Sequence, residues 1–101
     1  MQYVYPAIFN YDPDDGGYFV QFVDAHNIFT SGETLYEAIY MAEDVLALML
    51  VEWEEKGNPI PKASDIRDVK LDDPKSFVTL IKADTDEYRK MLANMAQNEA
   101  K

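Results

Sequence analysis

The stretch from Thr34 to Gly57 constrains what this chain can fold into more than any other. Thr34-Leu35-Tyr36-Glu37 is a capping box: the Thr34 hydroxyl can accept from the Glu37 amide, and the Glu37 carboxylate can reach back to the Thr34 amide. Gly57 is a natural C-cap and Pro59 prevents continuation, so one long helix is predicted to run to about Lys56. On a 100° wheel Leu35, Ala38, Ile39, Ala42, Val45, Leu46, Met49, Leu50 and Trp53 form one broad apolar stripe. Such a stripe needs a surface to cover it, and the residues before it read as strands.

Tyr3, Tyr5, Ala7 and Phe9 alternate with Val4, Pro6 and Ile8, which predicts a first strand over 3–9. Pro6 has no N–H for a ladder, so this strand is expected at a sheet edge or with that position toward solvent. Tyr11-Asp12-Pro13-Asp14-Asp15-Gly16-Gly17 supplies turn chemistry, and Tyr18 to Val23 alternates again, giving a hairpin. A short third strand fits Ile28 to Ser31. After the helix, residues 57–73 form a proline-punctuated connector and Phe77 to Ile81 fits a fourth strand. Asp84-Thr85-Asp86-Glu87 offers a second capping box, beyond which Tyr88, Met91, Leu92 and Met95 keep helical spacing. The expected fold class is α+β: an antiparallel sheet in the order β-β-β-α-β, one long helix packed on it, and a C-terminal helix. No repeat or long linker divides the 101 residues, so 84–101 is read as an extension of the domain formed by 1–83.

A second apolar strip on the long helix, Tyr36, Tyr40, Ala47 and Val51, is bordered by Glu43, Asp44 and Glu54. Either the C-terminal segment folds over it, or it is a face for a partner or a second copy.

Charge narrows the function. Residues 1–55 hold eleven acids and no Lys or Arg, while 56–101 hold nine basic residues and eight acids, so the net charge of −10 lies wholly in the first part. A one-sign field of this kind repels nucleic acid and attracts basic partners. There is no cysteine, which removes disulfides and thiolate metal sites and fits a reducing compartment. No apolar run reaches membrane-spanning length, and the N-terminus has no signal-peptide order. A cytoplasmic domain is expected. His26 is the sole histidine and stands in a polar loop; Asp12, Asp14 and Asp15 lack the ligand pattern of a calcium loop; Asp24 has no carboxylate partner for a metal pair. No catalytic residue, cofactor or metal site is therefore assigned, and the chain is not expected to be an enzyme.

Five short segments taken in order carry a resemblance. They are Tyr5-Pro6-Ala7-Ile8-Phe9, Asp15-Gly16-Gly17-Tyr18, Phe22-Val23-Asp24, Thr30-Ser31-Gly32-Glu33-Thr34-Leu35-Tyr36-Glu37-Ala38 and Gly57-Asn58-Pro59-Ile60-Pro61. Together they resemble the HicB antitoxin family over about residues 1 to 82. The resemblance implies a partial RNase H-like fold without nuclease carboxylates, and a role in masking a small basic RNA-cleaving toxin, HicA. Val23-Asp24-Ala25-His26-Asn27 departs from the family's Pro-Asp-Leu-Pro-Gly, and Ala63 stands where proline is common. Many members carry a DNA-binding domain after the fourth strand. The nearly neutral residues that remain here do not fit one, so direct DNA binding is not expected. The alternative is a non-catalytic RNA-binding or RNase H-related domain that stacks bases on sheet aromatics.

Two sets of surface residues follow. Partner binding is expected on Asp12, Asp14, Asp15, Glu43, Asp44, Glu54 and Glu55, for their one-sign field. A homodimer or tetramer is expected through Tyr36 and Tyr40, through Tyr88, Met91, Leu92 and Met95, or through the free edge of the fourth strand.

Overall fold

A computed structural model describes residues 1–99, so of the expected extension residues 100 and 101 lie outside the described residues. Four strands, β1 (Gln2–Asp12), β2 (Gly17–Phe22), β3 (Phe29–Gly32) and β4 (Ser76–Asp84), form one sheet in the order β3-β2-β1-β4. Every pairing is antiparallel. The long helix α1 (Leu35–Lys56) covers one face, and α2 (Thr85–Glu99) leaves the end of β4 without a loop. The α+β class and the order of elements are as the sequence predicts.

Local chemistry explains the boundaries. At the hairpin tip Asp12 Oδ1 accepts from the amides of Asp14 and Asp15, and Gly16 and Gly17 take φ of 93° and 135°. The Glu37 amide donates to Thr34 Oγ1 at 3.1 Å, and Gly57 closes α1 at φ 69°. Asp84 Oδ1 accepts from the Asp86 and Glu87 amides at 3.0 and 3.2 Å and so caps α2, while Thr85 N–H donates to the Met1 carbonyl at 2.9 Å.

The core lies between α1 and the sheet. Tyr5, Ala7 and Phe9 of β1, Val20 and Phe22 of β2, Ile81 and Ala83 of β4, and Ile28 meet Ala38, Ala42, Leu46, Ala47 and Leu50. Full burial of Phe9, Phe22, Ile28, Leu46, Leu50 and Ile81 contributes about 1.5–3 kcal/mol each. The first turns of α1 come very close to β3: a Cβ built on Gly32 would sit 2.5 Å from the Ala38 nitrogen. Only glycine fits there.

Three expectations are corrected. β1 is not an edge strand; it pairs with β2 on one side and β4 on the other, and Pro6 is fully buried. The proline is tolerated because its carbonyl and its missing N–H point toward β2 where that ladder ends: Val23 N–H donates to the Pro6 carbonyl at 3.2 Å, and the last paired residues are Ala7 and Phe22. β4 is longer than Phe77 to Ile81, because it pairs with β1 from Asn10 back to Gln2. The second strip of α1 is not one surface. Ala47 and Val51 are buried at 5% exposure, whereas Tyr36 and Tyr40 stand 84% and 59% exposed. α2 packs against α1 and leaves Tyr36 and Tyr40 uncovered.

The connector is pinned to the sheet at two points. Tyr5 Oη donates to the Pro61 carbonyl, and both the amide and the hydroxyl of Ser64 donate to the Asp24 carboxylate. Ile66–Asp68 forms one 3-10 turn against β4.

Candidate partner-binding surface

The acids named from sequence fall in three places. Asp12 and Asp15 join Glu33 and Glu37 around a groove of about 580 Å³ at the hairpin tip, floored by Gly17, Tyr18 and Phe19; Asp14 stands exposed in the same turn. Sequence alone does not single out Glu33 and Glu37, since Glu37 reads there as a capping residue. In the structure only the Thr34 half of that box is formed, and the Glu37 side chain lines the groove.

The second place lies between α1 and α2. Tyr40, Glu43, Asp44 and Ala47 of α1 face Glu87, Tyr88 and Met91 of α2 across a groove of about 640 Å³, with Gln2, Tyr3, Val4, Lys82, Ala83 and Asp84 below. The structure thus brings Glu43 and Asp44, expected to bind a partner, together with Tyr40, Tyr88 and Met91, expected to bind a second copy. Tyr36, Leu92 and Met95 do not line this groove. Burial, aided by the Asp44 carboxylate beside it, raises the Tyr88 phenol above its ordinary value. Asp84 is held below the carboxylate range mainly by the Glu87 amide at the start of α2. Asp84 and Glu87 were legible in sequence only as capping residues; their place on the rim depends on how α2 folds back.

Glu54 and Glu55 form the third place, at the lower end of α1. Tyr3 Oη donates to Glu54 Oε2 at 2.6 Å, the Thr85 hydroxyl lies 3.2 Å from the same oxygen, and Arg89 meets Glu54 Oε1 at 2.8 Å. Arg89 also approaches Glu55 at 3.7 Å. The bond to Tyr3, followed by Arg89 and Thr85, lowers the Glu54 carboxyl against the opposing effect of burial. The same bond, with burial, pushes the Tyr3 phenol up to about 12. This carboxylate joins β1, α1 and α2.

His26 is exposed in the loop after β2, and Asp24 is engaged by Ser64. Among the described residues no group of three or more His, Asp or Glu is placed to hold a metal ion. No helix among them is long and apolar enough to cross a membrane.

A family profile described as the HicB-like antitoxin of bacterial toxin-antitoxin systems matches residues 4–74. No curated protein matches the chain. A chain from the toxin-antitoxin complex of Streptococcus pneumoniae is 33% identical, with a TM-score of 0.79 over 87% of this chain and 73% of that one. A chain of the HicA3 and HicB3 toxin-antitoxin complex is 22% identical, with a TM-score of 0.64 over 81% of this chain and 99% of that one. The N-terminal domain of the Burkholderia pseudomallei antitoxin HicB is 17% identical, at a TM-score of 0.64 over 78% and 95%. These last two show a shared fold alone. With the profile spanning most of its length, from the first strand through the connector, this chain belongs to the HicB-like antitoxins of bacterial toxin-antitoxin systems.

Proposed function

We propose that the chain acts by binding and masking a small basic RNA-cleaving toxin of the HicA type, in the cytoplasm and without chemistry of its own. The observation that carries this reading is the distribution of charge. All of the net charge lies in residues 1–55, and the fold sets nine of the eleven acids there along the hairpin tip and α1. A protein that cleaves RNA holds phosphate with cationic groups, and an inhibitor that presents the opposite field to that surface gains association rate and selectivity. The similarity to a chain of a solved toxin-antitoxin complex supports the same reading.

The RNA-binding alternative rests on Phe19 and Phe29, exposed on the sheet face away from α1 with ring centroids 6.1 Å apart. Against it, Lys56, Arg67, Arg89 and Lys90 are each engaged by acids of the chain itself.

Co-expression with a HicA-type toxin tests the proposal. Growth arrest by the toxin should be relieved, and the two proteins should elute together with an association rate that falls steeply with salt. Persistent arrest with no complex at low salt would reject it. Salt-sensitive retardation of RNA by the chain alone would favour the alternative.

A further inference from the structure

We propose that the groove between α1 and α2 is the anchoring site for the toxin, and that it receives a basic segment whose Arg or Lys lies across Tyr40 and Tyr88 between Glu43 and Asp44. This rests on the toxin-binding reading above and adds the surface and the chemistry of its occupant. The groove measures about 640 Å³, within the range of sites that enclose a ligand group, and apolar side chains line it. Tyr40 is 59% exposed and Met91 40%, although both sit where two helices converge. An apolar cleft left open between packed elements and rimmed by charge marks an interaction surface.

The rim says what the occupant is. Glu43, Asp44, Asp84 and Glu87 stand around the groove against one cation, Lys82. Asp84 is spent on capping α2, and Glu87 lies 3.5 Å from Lys90. Glu43 and Asp44 have no cation within ion-pair distance among the described residues. Two tyrosine rings beside two carboxylates that no cation of the described residues neutralises suit a guanidinium or ammonium group, by ring-face attraction and charge together. A second copy is the wrong occupant, because it brings a chain of net charge −10 to an acidic rim. The hairpin-tip groove is also acidic, with Asp12 and Asp15 in the exposed turn and Glu37 exposed at the start of α1; these charges steer encounter and do not anchor.

The two roles separate in kinetics. Tyr40→Ala and Asp44→Lys in the full chain should each raise the dissociation rate of an inactivated HicA-type toxin by about 30-fold or more, as for a central interface residue. Changing Asp12, Asp14 and Asp15 together to Asn should slow association several-fold and leave dissociation unchanged. Tyr40 and Asp44 are surface residues, so unchanged circular dichroism and melting will show that the variants fold. Unaltered dissociation in both groove variants, with the parent chain still binding, overturns this inference and leaves the toxin-binding reading standing. Failure of the parent chain to bind overturns the reading itself. Groove variants that alter only the self-association mass would assign the groove to a second copy and also overturn the inference.

Discussion

Glu54 shows how far a residue's role depends on partners distant in sequence. By spacing alone it is one more acid on the flank of a helix. In the fold its carboxylate takes the Tyr3 hydroxyl and Arg89 and lies beside the buried Thr85 hydroxyl, so its charge serves the junction of three elements. Glu54→Gln keeps the shape and removes the charge. Since a hydrogen bond to a charged group contributes about 1.5–3 kcal/mol and a neutral one about 0.5–1.5, the variant should lose about 1–2 kcal/mol. A fall of several degrees in the melting temperature is expected, and an unchanged melt would dismiss the junction as a stabilising feature. The pH dependence has two limbs. Glu54 is lowered in the fold, so its contribution is present above the ordinary carboxylate value and is lost as pH falls through the folded one. Tyr3 is raised to about 12, so its contribution is present below the ordinary phenol value of about 10 and is lost as pH climbs through about 12. Urea titrations across pH should show both limbs in the parent chain and a weaker acid limb in Glu54→Gln.

Legibility differed by element for a physical reason. The ends of α1 were readable because local residues set them: Thr34 caps one end and Gly57 closes the other. The hairpin was readable for the same reason. What could not be read was any feature decided by long-range pairing: Pro6 suits a central strand only because β2 ends opposite it, and Ala47 of the α1 strip is buried because the sheet and α1 close over it while Tyr40 is left open. The candidate site was legible as residue types and not as places, since Tyr40 and Asp44 were assigned to different surfaces and line one groove. Gly32 sits at a similar long-range contact. Gly32→Ala would set a methyl 2.5 Å and 2.7 Å from the Ala38 backbone, which cannot rotate away. α1 must then shift on β3, at a cost of about 1–3 kcal/mol. Chemical denaturation should show that loss, and a variant as stable as the parent would mean that α1 can lift off the strand freely.

At the scale of the whole molecule the charge divides the surface. The first 55 residues repel a second copy, and the nearly neutral remainder does not. Self-association is therefore expected through Leu92 and Met95 of α2, which lie outside the groove at 38% and 51% exposure, or through the free edge of β4. Light scattering should give a multiple of 11.6 kDa, and Leu92→Glu should return the mass to that of one chain if the contact lies on α2. A single-chain mass for the parent would reject self-association.

The direct passage of β4 into α2 makes the helix a lever with its fulcrum on an edge strand. Thr85 is fully buried at that fulcrum, and the nine residues of β4 before it pair with β1 from Asn10 to Gln2. With no loop between them, a change in the width of the groove is expected to reach this ladder through Thr85. If the groove is the partner site, its occupancy is expected to slow amide exchange along β4, and an unchanged exchange profile on binding would show that α2 moves independently of the sheet.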